Sequence, residues 1–201
     1  DEILGLGGTL LKHVQNKDKV FTIILSQGRT NKLDDKLNSK LAKFLKLKKT
    51  FNLKLKDQKF DTYPLLEIIK KIEKIKKAAN PDVVYTHYNS DLNNDHKICS
   101  LATLTAFRPF VGKKTKIFQF ETPSSTEITE KKEDSFNPDY FVDIENFFET
   151  KIEILNKFYS KEMRKYPHPR SKEYLKSLAV LRGSMSGLKL AEGFKTVRNY
   201  Y

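Results

Sequence analysis

Apolar residues follow two patterns along the chain, short continuous runs and helical spacing. Val20 to Leu25 is an almost wholly apolar run of β-formers, as expected of a strand buried on both faces of a parallel sheet. Pro64 to Ala79 instead repeats leucine and isoleucine every three or four residues, which predicts an amphipathic helix. Further strands are predicted at 51–55, 83–85, 116–120 and 140–144, and further helices at 3–13, 34–47, 96–108, 147–159 and 172–190. The alternation predicts an α/β layered fold with a mainly parallel sheet.

Glycines are dense at the start of the first predicted helix, at Gly5, Gly7 and Gly8. Each glycine costs a helix interior about 1 kcal/mol relative to alanine, so we interpret them as sites of close backbone packing. A dinucleotide-binding turn is the alternative, but Gly-x-Gly-Gly-Thr lacks the Gly-x-Gly-x-x-Gly spacing. Small residues between Arg182 and Phe194 are interpreted in the same way, as part of a closely packed helix.

Three polar stretches are predicted to be loops. Residues 121–138 are rich in serine, threonine, glutamate and proline, and we expect this loop to lie over a functional site. Two prolines bias the segment Tyr166 to Ser171 away from helix. Ser26 to Arg29 follows a predicted buried strand, at the position where open α/β sheets place their ligands.

Length and composition favour one domain over residues 1–201. The sequence has no run of about 18 apolar residues, which argues against a membrane span. It begins without the basic and then apolar pattern of a signal peptide, and its single cysteine, Cys99, fits a reducing compartment. We therefore predict a cytoplasmic protein, and a homo-oligomer is compatible with the sequence.

The formal net charge of +13 raises the alternative of a nucleic-acid-binding module. Only six of the 38 basic residues are arginine, whereas base and phosphate readers favour the bidentate arginine fork. The lysines are spread along predicted helices, as on solvated helix faces. We therefore predict no nucleic-acid partner and keep the attraction of an anionic substrate as the alternative role of the charge.

Two separate motifs carry the candidate chemistry. Asp1-Glu2 stands directly before the glycine-rich helix, and Asp91-Leu92-Asn93-Asn94-Asp95-His96 follows the predicted strand at 83–85. Carboxylates and imidazoles are ligands of hydrolytic metal sites. In this order the two motifs resemble those of the GlcNAc-phosphatidylinositol de-N-acetylase family, also called LmbE-like, whose first motif reads His-Pro-Asp-Asp-Glu before a Gly-Gly-Thr helix.

The resemblance implies a Rossmann-like three-layer α/β/α domain and a zinc-dependent deacetylase. Asp1 matches the second Asp of the first motif and His96 the last His of the second, and both positions bind the metal in the family. Zn²⁺ is the expected cofactor, with another divalent metal as the alternative. The His of the first motif, a third ligand, and its first Asp, the general base, do not occur in this sequence. Neither does the strand that precedes them, so the resemblance implies an N-terminally incomplete domain.

The second motif departs from the family at one position. Many members have His-x-x-His, in which the first His helps to stabilise the oxyanion, but this chain has Asn93, which we assign to substrate binding. His168, in Pro-His-Pro-Arg-Ser, is the predicted replacement as an imidazolium, because a proline-clamped loop can aim a side chain; a surface-loop histidine is the alternative. Asp95 is predicted either to orient a neighbouring imidazole or the substrate, or to cap the following helix.

Three more residues are predicted to contact the substrate. His87 lies at the end of a predicted strand, Arg29 follows the turn at Gly28, and Arg170 stands close to His168. Both arginines suit sugar hydroxyls or a phosphate and have a solvated loop side chain as their alternative interpretation. The sequence thus predicts an N-deacetylase that hydrolyses the acetamide of an N-acetylated amino sugar or its conjugate. A metal-independent nucleic-acid-binding module and a non-catalytic sugar-binding domain are the rival predictions.

Overall fold

A computed structural model describes residues 1–28, 35–128 and 131–200. Within these ranges the α-helices are α1 (Glu2–Gln15), α2 (Asp35–Phe44), α3 (Leu65–Ala79), α4 (Asn94–Ala106), α5 (Phe148–Phe158) and α6 (Lys172–Ser186). The strands are β1 (Phe21–Ser26), β2 (Lys49–Leu55), β3 (Val83–His87), β4 (Lys116–Phe120), β5 (Tyr140–Asp143) and β6 (Ala191–Arg198). The predicted α/β class is therefore confirmed. No helix in the described ranges combines the length and the apolar character needed to cross a bilayer.

The strands form a two-stranded sheet and a four-stranded sheet. In the first, β1 and β2 are parallel. In the second, the order is β3-β4-β6-β5, and β4 is parallel to β3 whereas β6 runs antiparallel to both of its neighbours. The expectation of a mainly parallel sheet is corrected to a mixed arrangement, because the chain returns through β6 between β4 and β5.

The first half of β6, residues 191–194, was predicted to belong to a closely packed helix. Helix α6 ends at Ser186 because Gly187 adopts a left-handed conformation, with φ of 73°, which glycine reaches without strain. The chain then turns and its β-forming residues pair on both sides. The small residues do permit close packing, since a Cβ on Gly183 would lie 2.6 Å from the carbonyl oxygen of Leu188.

Two large apolar clusters hold the helices against the strands. One contains buried residues of α1, α2, α5 and α6, and the other joins α3 and α4 to Leu25 of β1, Leu55 of β2 and Ile117 of β4. Burying a large aliphatic side chain contributes about 1.5–3 kcal/mol. The first cluster packs the start of α1 against α5 and α6, and the second packs α4 against α3 and β4.

Helix α1 is kinked, with φ of −140° at Leu6, and a kink leaves backbone N–H groups without helical acceptors. The carboxylate of Glu192 in β6 accepts the N–H groups of Gly8 and Thr9 at 2.9 and 2.7 Å. The ammonium of Lys151 donates to the same carboxylate at 2.7 Å. A buried ion pair therefore attaches α1 to α5 and β6.

The glycines of α1 are sites of close packing, as predicted. A Cβ on Gly5 would lie 2.5 Å from Cδ2 of Phe120, and one on Gly8 would lie 2.6 Å from Cγ2 of Ile144. Both distances are shorter than any van der Waals contact, so only glycine lets the helix approach β4 and the residue after β5 this closely.

Candidate metal centre

Asp1, His87 and His96 each bring one potential ligand atom to within 4.8 Å of the others. Asp1 directly precedes α1, His87 ends β3, and His96 lies in the first turn of α4. The Oδ2 atom of Asp1 lies 3.4 Å from Nε2 of His87 and 3.2 Å from Nε2 of His96. One carboxylate oxygen and two imidazole nitrogens form a typical donor set for zinc in proteins, so these atoms could hold a divalent metal. We call Asp1, His87 and His96 the metal-type group.

The environment of His87 favours the neutral imidazole, which is the ligating form. Burial, followed by the neighbouring His96, lowers the pKa of His87 well below its usual value. The two imidazole rings stack with their centroids 4.2 Å apart, and the ring of Phe120 packs at 4.8 Å from that of His87. Within the described part of the chain, Nδ1 of His87 is buried without a hydrogen-bond partner. His87 was predicted to contact substrate, and the structure places it beside Asp1 and His96 in the metal-type group.

The second ring nitrogen of His96 faces Asp91. The Asp91 side chain is fully buried, and its Oδ1 lies 3.1 Å from Nδ1 of His96. Burial acts to raise the pKa of this carboxyl, but hydrogen bonds from His96, Thr126 and the Asn93 N–H lower it overall. A carboxylate in this position fixes the orientation of a ligating histidine.

Asp91 had no predicted role, although it is the first residue of the second motif. Its hydroxyl partners, Ser125 and Thr126, lie in the polar stretch at 121–138 that was expected over a site. The abundance of serine and threonine in that stretch was the available signal. Nothing in the sequence indicated which acidic residue these hydroxyls would contact.

Asp95 has different partners from those expected. Its two oxygens accept the backbone N–H groups of Gln58 and Phe60 at 2.7 and 3.0 Å. Burial raises the pKa of Asp95, and these two donors oppose that rise. The helix cap is Asn93, whose side chain accepts the N–H of Asp95 at 2.9 Å. In the structure, therefore, Asp91 contacts the imidazole of His96 and Asn93 caps α4, two contacts that had been considered for Asp95.

The segment containing His168 is tied to the loop after β4. Arg170 donates to the hydroxyl of Ser124 and to Glu162, both at 2.8 Å. Nδ1 of the exposed His168 accepts the N–H of Arg170 at 3.0 Å. In the described ranges the hydrogen bonds of the His168 ring stay within its own segment and do not reach the metal-type group.

Arg29, the other predicted substrate contact, lies outside the described residues. The preceding Gly28 has φ of 79° and donates its N–H to the hydroxyl of Ser26 at 2.8 Å. His13 lies away from the metal-type group, where its ring nitrogens contact Asp18 at 2.7 Å and Tyr85 at 3.0 Å.

Comparison with known sequences finds a family match over residues 1–107, to the family described as PIG-L: GlcNAc-PI de-N-acetylase. No curated protein matches the chain significantly. The matched residues include Asp1, His87, Asp91 and His96, so the metal-type group and its carboxylate neighbour fall within the family match.

Several solved structures share the fold. N,N′-diacetylchitobiose deacetylase from Pyrococcus horikoshii matches with a TM-score of 0.75 and 18% identity, over 98% of this chain and 79% of that chain. The zinc-inhibited form of teicoplanin deacetylase matches with a TM-score of 0.74 and 12% identity, over 98% and 93%. The 4-carboxy-2-hydroxymuconate hydratase from Pseudomonas putida matches with a TM-score of 0.69 and 18% identity, over 100% and 93%. Such low identities establish a common fold, and one fold can carry several reactions.

Proposed function

The chain belongs to the GlcNAc-PI de-N-acetylase (PIG-L) family, and from this membership we propose a metal-dependent N-deacetylase that acts on an N-acetylated amino sugar or its conjugate. The convergence of Asp1, His87 and His96 is the observation that carries the proposal. A hydratase has the same fold, so the fold alone does not identify the reaction. Family membership together with this donor set favours amide hydrolysis.

We assign the metal to these three residues because their chemistry fits a divalent cation. His87 is held in its neutral form, and the Nδ1 contact of His96 with Asp91 leaves Nε2 facing Asp1. When bound, Zn²⁺ or a similar cation would supply a Lewis acid for the acetamide carbonyl and would lower the pKa of the attacking water.

Hydrolysis consumes one water and releases acetate and the free amine. In the family motif the general base that removes the water proton is the Asp directly before the residue that Asp1 matches. We assign His168 to the oxyanion. Because its Nδ1 accepts the N–H of Arg170, its proton resides on Nε2, and we propose a neutral Nε2–H donor in place of the imidazolium that the sequence suggested.

The charge of the chain supports an anionic conjugate as substrate. The net charge of +13 attracts negatively charged ligands at long range. Arg170 is engaged by Glu162 and Ser124, so we assign contact with a phosphate or similar group to Arg29.

We also propose that the two sheets belong to one Rossmann-like sheet in a three-layer domain. β1 and β3 are apolar strands that are mostly only half-buried, and each has one hydrogen-bonded neighbour among the described strands. Both contribute to the apolar cluster around α3 and α4. A further strand between them would cover these faces and join the two sheets.

The test is acetate release from a panel of N-acetyl sugars, measured on complete protein that carries the whole first motif. A chelator should abolish release and Zn²⁺ should restore it. His96→Ala should abolish release in a folded protein, whereas the matched control His13→Ala should retain it. A folded, zinc-binding protein that releases no acetate from any sugar would refute the deacetylase and leave hydration or sugar binding. Salt-sensitive nucleic-acid binding without a metal requirement would support the rival module.

A further inference from the structure

We propose that Asp91, held by the turn at residues 122–126, is the positioning residue that fixes the His96 ring for metal binding. The inference rests on the metal site of the proposed function, gives a role to Asp91 of the second motif, and adds Ser125 and Thr126, which lie outside both motifs. It is carried by the hydrogen bonds around one fully buried carboxylate.

All four partners of the Asp91 carboxylate act as donors. Oδ1 lies 3.1 Å from Nδ1 of His96 and accepts the N–H of Asn93 at 2.8 Å. Oδ2 accepts the hydroxyl protons of Ser125, at 3.0 Å, and of Thr126. Only an ionised carboxylate offers acceptors alone on both oxygens, so the site is built for Asp91 in its charged form.

The turn directs the hydroxyl of Thr126 to Asp91, whereas the hydroxyl of Ser125 has both Oδ2 of Asp91 at 3.0 Å and the carbonyl oxygen of Thr122 at 3.2 Å as acceptors. The hydroxyl of Thr126 already accepts the N–H of Thr122 at 2.7 Å, so its own proton is directed to Asp91. The backbone N–H groups of Ser125 and Thr126 both donate to the carbonyl oxygen of Thr122 at 3.1 Å. Thr122 and Thr126 are almost completely buried. The turn is therefore a closed hydrogen-bonded unit that presents two donors to one carboxylate oxygen.

This arrangement determines the tautomer of His96. Because Oδ1 of Asp91 accepts from Nδ1, the ring proton resides on Nδ1 and the lone pair on Nε2. Nε2 is the atom that lies 3.2 Å from Asp1, on the side of the metal-type group. Loss of such a carboxylate–histidine contact typically weakens metal binding by about 10–100-fold.

The experiment measures the Kd for Zn²⁺ by competition with a chromophoric chelator, on the complete protein. Asp91→Asn keeps the side-chain size but replaces one acceptor oxygen with a donor, and it should raise the Kd by about 10–100-fold. The visible absorption spectrum of the Co²⁺-loaded variant should also change, because the ring of one ligand is no longer fixed. The matched control is Asp139→Asn, since Asp139 accepts from Lys195 at 2.8 Å and from the N–H of Thr196 at 2.7 Å. It should leave both readouts unchanged.

Three outcomes separate this inference from the proposed function. A folded Asp91→Asn variant with the wild-type Kd and Co²⁺ spectrum overturns the inference and leaves the metal site in place. A His96→Ala variant with the wild-type Kd shows instead that the metal site itself is wrong. If Asp91→Asn does not fold, the Ser125→Ala variant tests the inference instead, because it removes one donor to Oδ2 of Asp91. A folded Ser125→Ala variant with unchanged Kd and spectrum also overturns the inference.

Discussion

Glu192→Gln removes one negative charge from the interior while keeping the size of the side chain. The carboxylate it replaces accepts two N–H groups of α1 and the ammonium of Lys151. The side chains of Lys151 and Glu192 are only 6% and 5% exposed. All three partners are donors, so the amide NH₂ of glutamine must face one of them, and the charge of Lys151 stays buried without its counter-ion.

The expected loss of stability is large for a single substitution. Removing one partner of a buried ion pair costs about 3–5 kcal/mol. For a chain of this length each kcal/mol lowers the Tm by about 2–4 °C, so the Tm should fall by roughly 6–20 °C. Lys151→Met should be milder, because Glu192 keeps its two N–H donors from α1. The double variant should be more stable than the sum of the two single changes indicates.

The assay is thermal unfolding followed by circular dichroism at fixed pH and metal concentration. Lys189→Met is the control, because Lys189 pairs with Glu145 at 2.7 Å in a solvent-exposed contact, and such pairs contribute little. It should leave the Tm unchanged. A Glu192→Gln protein with the Tm of the wild type, or with a higher Tm than Lys151→Met, would refute the proposed attachment of α1.

Two further substitutions test the surroundings of the metal-type group. His168→Ala should lower kcat by about 10² while the Kd for Zn²⁺ stays unchanged, as for loss of one oxyanion donor; equal kcat in both proteins would make His168 an ordinary surface residue. Gly5→Ala should lower the free energy of unfolding by about 1–3 kcal/mol through overpacking, since its Cβ would meet Phe120 and the carbonyl oxygen of Glu121 at 2.5 and 2.8 Å. It should also weaken Zn²⁺ binding, because Phe120 packs against His87; a wild-type melting curve and Kd would contradict both expectations.

The elements that the sequence predicted well are those defined by local patterns. The isoleucine spacing of 65–79 and the apolar run of β1 appear in the structure close to the expected bounds. The strand β6 was missed because small residues suit tight helices and close strand packing equally well. Its assignment depends on pairing with β4 and β5, which lie far away in sequence. Nonlocal pairing of this kind leaves no periodic signal in a single chain.

The candidate site likewise contains residues that local motifs reveal and contacts that only the folded chain brings together. Asp1 and His96 stand in contiguous motifs, and the family match agrees with the family that those motifs indicated. The contact of His87 with Asp1 and the contacts of Asp91 with Ser125 and Thr126 join residues that are 34 to 86 positions apart. Such contacts follow from the tertiary arrangement, so no short motif could reveal them.

The attachment of α1 by Glu192 has a consequence for the order in which the protein matures. The N–H groups of Gly8 and Thr9 donate to the Glu192 carboxylate, which lies 184 and 183 residues further along the chain. During vectorial synthesis the helix that follows Asp1 is therefore complete long before its anchor has left the ribosome. Closing so long a loop comes late in folding. The nascent chain must thus carry an unanchored first helix until β6 emerges.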